Sequence, residues 1–235
     1  MLFDIDGTLY GQQIVRLLMA LELATLPIRV RSISKAMTIL RAVATFRRVR
    51  EDLRDATPDQ GRLVELQYLE TAKRAGCDAR DVERWVGEWI FSRPLKYLRF
   101  GKRHGLERFL THLRETGIAA GVLSDYPAAE KLQALRLAPY FSVAICTTDP
   151  DVNAFKPHPA GFLRACTLWG LRPEEVLYVG DRPDVDASGA AAAGMPCAIL
   201  SPGRAWRRAP VSAASTPHFV VPFYGSLQRA LSRPR

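Results

Sequence analysis

Cysteine is scarce in this 235-residue chain. Cys77, Cys146, Cys166 and Cys197 show no CxxC spacing, and three of them fall in segments that read as buried strand or helix. That excludes a disulfide scaffold or a thiolate zinc site and fits a reduced, cytoplasmic protein. No basic region precedes an apolar run at the N-terminus, so no signal peptide is read. Long apolar runs are missing too. The best candidate, Ile14 to Ile28, is interrupted by Arg16 and Glu22 and falls short of a bilayer span. Acid is in deficit: 24 Asp and Glu stand against 33 Lys and Arg, a formal charge of +9 and a pI near 9.7. Such a chain favours anionic partners, whether phosphorylated metabolites, nucleic acid or a membrane surface.

What is present is a substantial core, with 48% hydrophobic residues. From Gly105 onward, apolar strand-like runs alternate with helical stretches, the pattern of a parallel sheet covered on both faces. The runs are Ile118 to Ser124, Phe141 to Cys146, Val176 to Gly180, Cys197 to Leu200 and His218 to Val221, with Met1 to Ile5 as a further strand. Between Gln12 and Phe100 the periodicity is helical, and four helices are expected near 12–26, 31–54, 58–75 and 79–91, the third opening at Thr57-Pro58. The expected organisation is a sheet domain from residues 1–11 and 101–235 with an all-helical domain, 12–100, inserted after the first strand. Hinges are expected at Tyr10-Gly11 and Arg99-Phe100-Gly101.

Chemistry concentrates where strands end. In Asp4-Ile5-Asp6-Gly7-Thr8 two carboxylates stand two residues apart, so strand alternation points both one way while Ile5 points inward. Like charges so close invite a divalent cation, and oxygen ligands suit Mg2+. Asp6-Gly7 also reads as a hairpin turn, but Ile14, Leu17, Leu18 and Leu21 follow at helical spacing. Ser124-Asp125 ends a second strand ahead of Pro127 and reads either as a phosphate site or as an ordinary helix cap. Lys156 lies between Phe155 and Pro157 and reads as a fixed countercharge for a phosphoryl group or as a solvated loop lysine. His158 is assigned no catalytic role. Gly180-Asp181 and Asp186 offer a third metal oxygen and a group to orient Lys156, or acids capping a helix.

In order and placement, these four segments resemble the motifs of the haloacid dehalogenase superfamily of hydrolases, and the helical insertion resembles the cap of its phosphoglycolate phosphatase-like branch. The resemblance implies an α/β, Rossmann-like core with a helical cap, and a Mg2+-dependent phosphatase of a small phosphorylated metabolite. It implies Asp4 as the nucleophile that forms an aspartyl-phosphate and Asp6 as general acid, then base. Ser124-Asp125 and Lys156 would hold the phosphoryl oxygens. The Asp4 carboxylate, the Asp6 main-chain carbonyl and Asp181 would bind the metal, with Asp186 behind them. Only Met1-Leu2-Phe3 precede Asp4, fewer residues than family members carry, so strand one is expected to be truncated or the native start to lie upstream.

Two rival chemistries share this fold. A haloacid dehalogenase would turn the Asp4 nucleophile on carbon, but that branch lacks the second acid, present here as Asp6. A phosphosugar mutase tends to carry an acid where this chain has Gly180. A non-enzymatic reading rests on Arg29, Arg31, Lys35, Arg41, Arg47, Arg48, Arg50 and Arg54, opposed by Glu51 and Asp52. This stripe would bind nucleic acid or anionic lipid, or form a solvated helix face. No RNA-binding aromatic motif accompanies it, which disfavours nucleic acid. Arg99, Lys102 and Arg103 would meet a second anionic group of a substrate or serve the surface. Monomer and dimer are both open.

Overall fold

The computed structural model describes residues 1–55, 61–201 and 217–232. Six strands form one parallel sheet in the order β3-β2-β1-β4-β5-β6: β1 (Leu2–Phe3), β2 (Gly121–Ser124), β3 (Val143–Cys146), β4 (Tyr178–Gly180), β5 (Cys197–Leu200) and β6 (Phe219–Val221). The six expected runs all become strands, most of them shorter than expected. The first is trimmed to two residues, yet it sits in the middle, with Leu2 opposite Gly121 and Tyr178 and Phe3 opposite Val122 and Val179. A two-residue strand holds a central place because both its neighbours supply ladder partners and both its side chains are fully buried.

Strand alternation sorts the apolar residues. Leu2, Leu123, Tyr178, Cys197 and Ile199 pack on one face, against Phe162 and Ala165 of α9 (Ala160–Trp169). Phe3, Val122, Val179, Ala198 and Leu200 pack on the other, against Phe109, Leu110 and Leu113 of α7 (Leu106–Glu115) and Leu227 of the helix Tyr224–Leu231. Both faces are therefore covered, which is why β4 and β5 read as continuous apolar runs.

The segment after β1 is an all-helical cap: α1 (Gln12–Ala24), α2 (Leu26–Val30), α3 (Ile33–Asp52), α4 (Leu63–Ala75), α5 (Ala79–Val86), a π-helical turn at Gly87–Ser92 and α6 (Leu95–Gly101). The short α2 and α6 are additions to the four expected helices. Pro27 in the first turn of α2 and left-handed Arg31 after it isolate α2 from α3, and Ser32 caps α3 by accepting from the Lys35 N–H at 3.2 Å. The expected start at Thr57-Pro58 lies outside the described residues. Cap positions such as Met19, Phe46, Trp85 and Trp89 belong to the same apolar cluster as Phe3 and Val122. Where the chain enters and leaves the cap, the Gly11 N–H donates to the Gly101 carbonyl at 2.7 Å and the Arg103 N–H to the Leu9 carbonyl at 3.0 Å. Among the described residues no helix is long and apolar enough to cross a membrane. All four cysteines are free thiols, three of them buried.

Candidate active site

The strand order reverses direction between β1 and β4, and such a switch point opens a crevice at the carboxyl ends of the strands. Asp4 and Asp6 follow β1 into it, Ser124-Asp125 follow β2, and Asp181 and Asp186 follow β4. Lys156 reaches in from the loop before α9. Its buried ammonium donates to Asp4 Oδ1 and Asp186 Oδ1, both at 2.7 Å, and to the Tyr178 hydroxyl at 3.0 Å. Two buried carboxylates thus share one buried cation, whose pKa is driven up against the effect of burial by Asp186 and Asp4.

Asp186 is fully occupied. Its Oδ1 also accepts from Tyr178, and its Oδ2 accepts from the Asp181 and Arg182 N–H groups, both at 3.0 Å. It locks the loop after β4, and it stands so close that a Cβ on Gly180 would lie 2.5 Å from the Asp186 side chain. Asp181 differs. Among the described residues nothing donates a hydrogen bond to its carboxylate, and burial, with Asp4 and Asp186 nearby, pushes its pKa up to about 8. Burial likewise raises Asp4 to about 7, Lys156 pulling down and Asp186 and Asp6 pushing up. Asp181 presses against the backbone of Gly7, where a Cβ would lie 2.1 Å from Asp181 Oδ2 and where φ is +106°.

Oxygens of Asp4, Asp181 and Asp186 lie within 4.8 Å of one another. These three carboxylates face one ammonium group, Lys156, so with all three ionised the cluster carries an excess of two negative charges. A divalent cation would close that balance, and the oxygen-only donor set fits a hard ion such as Mg2+. Asp186 accepts two donors on each oxygen, Asp4 only one on each, from Lys156 and Thr8, and Asp181 none among the described residues, so Asp181 and Asp4 keep lone pairs for an ion. The Asp6 carbonyl accepts from Gln12 Nε2 at 2.7 Å and keeps its second lone pair.

Asp6 is held by residues that sequence reasoning missed. The Tyr10 hydroxyl donates to Oδ1 and Lys131, from α8 (Ala129–Ala134), to Oδ2. Tyr10 lies four residues on and was within reach of a turn argument; Lys131 is 125 residues away and carried no signal. Thr8 donates to Asp4 Oδ2 at 3.2 Å. Ser124 is fully buried, and its hydroxyl accepts from the Tyr126 N–H at 3.1 Å while keeping its own proton to donate. The Asp125 carboxylate offers an anion no donor: burial opposes its ionisation, but Lys156, Arg54 and Arg50 hold its pKa low, and Arg54 pairs with it at 2.8 Å. His158 caps the chain before α9, its Nδ1 accepting from the Ala160 N–H at 3.2 Å.

The basic stripe does not form one surface. Arg50 is buried, donates to Gln67 Oε1 at 2.6 Å and to the Asp125 carbonyl, and lies over Tyr126 and Phe155 at 4.2 and 4.3 Å. Arg50 and Arg54 tie α3 to the sheet domain, because buried guanidinium groups need flat aromatic faces and fixed acceptors. Arg47 and Arg48 line the cavity instead. Arg103 donates to the Gly7 carbonyl, Lys102 pairs with Glu107 at 2.8 Å, and Arg99 lies over Phe100, so these three serve the loop and surface rather than a second anionic group.

A sequence model of the haloacid dehalogenase-like hydrolases matches residues 1–194, and the chain belongs to that family. A phosphoglycolate phosphatase of Salmonella typhi is 36% identical over 126 residues, which are 52% of this chain and 48% of that protein's length, so the chain spans about half of this relative. The fold resembles that of 2-haloacid dehalogenase from Pseudomonas syringae pv. Tomato DC3000, with a TM-score of 0.63 and 22% identity over 99% of this chain and 97% of that one. It also resembles the hydrolase YfnB of Bacillus subtilis, solved with magnesium bound, with a TM-score of 0.66 and 16% identity over 99% and 97%.

Proposed function

We propose that the chain is a Mg2+-dependent phosphatase that works through an aspartyl-phosphate on Asp4. The observation that carries this reading is the Asp4 carboxylate bound to the Lys156 ammonium at the mouth of the crevice, with Asp6 two residues on and independently positioned. An oxygen of Asp4 attacks phosphorus while the bond to the leaving oxygen breaks; Asp6, entering the step as the carboxylic acid, gives that oxygen its proton and is left as the carboxylate that Tyr10 and Lys131 hold. Asp6 then takes a proton from the water that attacks the aspartyl-phosphate, releasing phosphate and restoring Asp4. Lys156 neutralises charge on the transferring group, and Tyr10 and Lys131 hold Asp6 in line. Asp4, the Asp6 carbonyl and Asp181 would hold Mg2+, which when bound neutralises the anionic substrate and the clustered acids. Asp186 orients Lys156 and the Asp181 loop. The paired crossings at Gly11 and Gly101 support cap boundaries near residues 12 and 100.

The phosphoglycolate phosphatase relative supports phosphate esters as substrates. Likeness to a dehalogenase speaks for the fold alone, whereas the doubly held Asp6 favours a leaving group that needs a proton. The test is phosphate release from an aryl phosphate before and after exhaustive chelation. Activity should vanish and return with Mg2+, and Ca2+ should restore little of it. Full activity without metal, or halide release from 2-chloropropionate in place of phosphate release, would remove the reading.

A further inference from the structure

Resting on the phosphatase reading, we propose that the substrate is a phosphomonoester whose leaving group has an apolar body, such as an alkyl chain or an aromatic ring, rather than a two- or three-carbon acid. The crevice opens into a cavity of about 670 Å³ between sheet and cap. That is the size of sites that enclose drug-sized ligands, far more than phosphoglycolate fills. One of its walls is apolar. On α1, Val15, Met19 and Leu23 recur at four-residue spacing along one face, and Ile90, Phe91 and Leu95, from the π-helical turn and from α6, which packs against α1, line the same cavity. Arg16, Arg47 and Arg48 line other parts of the cavity and could meet an anionic group, but a two- or three-carbon acid would leave these six apolar side chains wet.

The wall lies on the leaving-group side of the site. Phe91 meets Tyr126 edge to face at 6.1 Å, Lys131 Nζ lies over Tyr126 at 4.9 Å, and Lys131 pairs with Asp6, the residue that would protonate the leaving oxygen. The atoms beyond that oxygen therefore point toward Phe91 and α1. Their burial supplies binding energy that a smaller ester lacks.

The test is kcat/KM for Mg2+-dependent phosphate release from ethyl, butyl and hexyl phosphate, from phenyl phosphate and from phosphoglycolate. Each buried methylene should raise kcat/KM by up to about fourfold, so hexyl should exceed ethyl phosphate by roughly tenfold or more. Phosphoglycolate should fall with the ethyl ester. Leu23→Ser and Leu95→Ser, on two different elements, should each compress the hexyl-to-ethyl ratio. A flat series, or phosphoglycolate as the best substrate, would overturn the inference and leave the phosphatase reading standing. Calorimetry with the non-hydrolysable methyl- and hexylphosphonates separates the two in the other direction. Tighter binding of the hexyl compound without any ester hydrolysis would uphold the apolar site and defeat the phosphatase reading; equal binding would overturn the inference whatever the activity.

Discussion

The floor of the cavity and its wall are built by opposite rules. On the floor, Asp4, Asp186, Lys156 and Tyr178 are buried and each polar group is held by more than one partner, so position is over-determined. On the wall, side chains such as Leu23 and Leu95 are half-buried and held by helix packing alone. Polar networks in a low-dielectric site tolerate little displacement, whereas an apolar surface accepts many shapes. On the proposed reading the floor carries the chemistry and the wall carries the choice of substrate.

The sharpest way to break the floor is to split its two acids. Asp4→Asn should lower turnover on the order of 10⁴-fold or more, since the amide is a poor nucleophile. Asp6→Asn should still release about one equivalent of phenol from an aryl phosphate in rapid-quench kinetics and then stall, because water is no longer activated. Mass spectrometry should place the added phosphate on Asp4; phosphate on Asp6 or Ser124, or normal turnover of alkyl phosphates by Asp6→Asn, would reverse the assignment.

Next in size is Lys156→Met. Removing the shared ammonium leaves Asp4 and Asp186 buried without a countercharge, and chemical denaturation should show a loss of about 3–5 kcal/mol. Turnover should fall about 10²- to 10³-fold through lost charge stabilisation. Unchanged unfolding would mean that the carboxylates find another cation.

The seam between floor and wall is tested by Arg50→Met, which removes a hydrogen bond to Gln67 of α4 together with the hydrogen bond and two ring contacts that tie α3 to the Asp125 carbonyl, Tyr126 and Phe155. A loss of about 2–3 kcal/mol, read as a fall in Tm of roughly 4–12 °C, is expected. Substrate preference should change along with stability, since α3 and the wall share one cap.

The smallest effect lies far from the floor. Burial would raise the pKa of Glu22, but Lys96, Tyr97 and Arg93 bring it from 4.5 down to about 2. Because the folded pKa is depressed, this contribution is complete above pH 4.5 and fades as the pH falls toward 2. Glu22→Gln should lower Tm by roughly 2–4 °C at neutral pH, with the difference from wild type shrinking across that acid window.

Much of this was legible in the chain itself. The strand-end placement of Asp4, Ser124 and Asp181 follows from apolar runs that stop at polar residues, and the helical insertion follows from three- and four-residue spacing. Only the fold could show that Lys131, 125 residues from Asp6, pairs with it, or that Arg50 leaves the basic stripe to lie between two rings. It alone gave Ser124 its Tyr126 partner and turned Asp125 toward Arg54. Periodicity reports which face of an element is apolar, a property of neighbours in sequence. Which charge meets which depends on the strand order and on where the cap settles, and no local pattern encodes either.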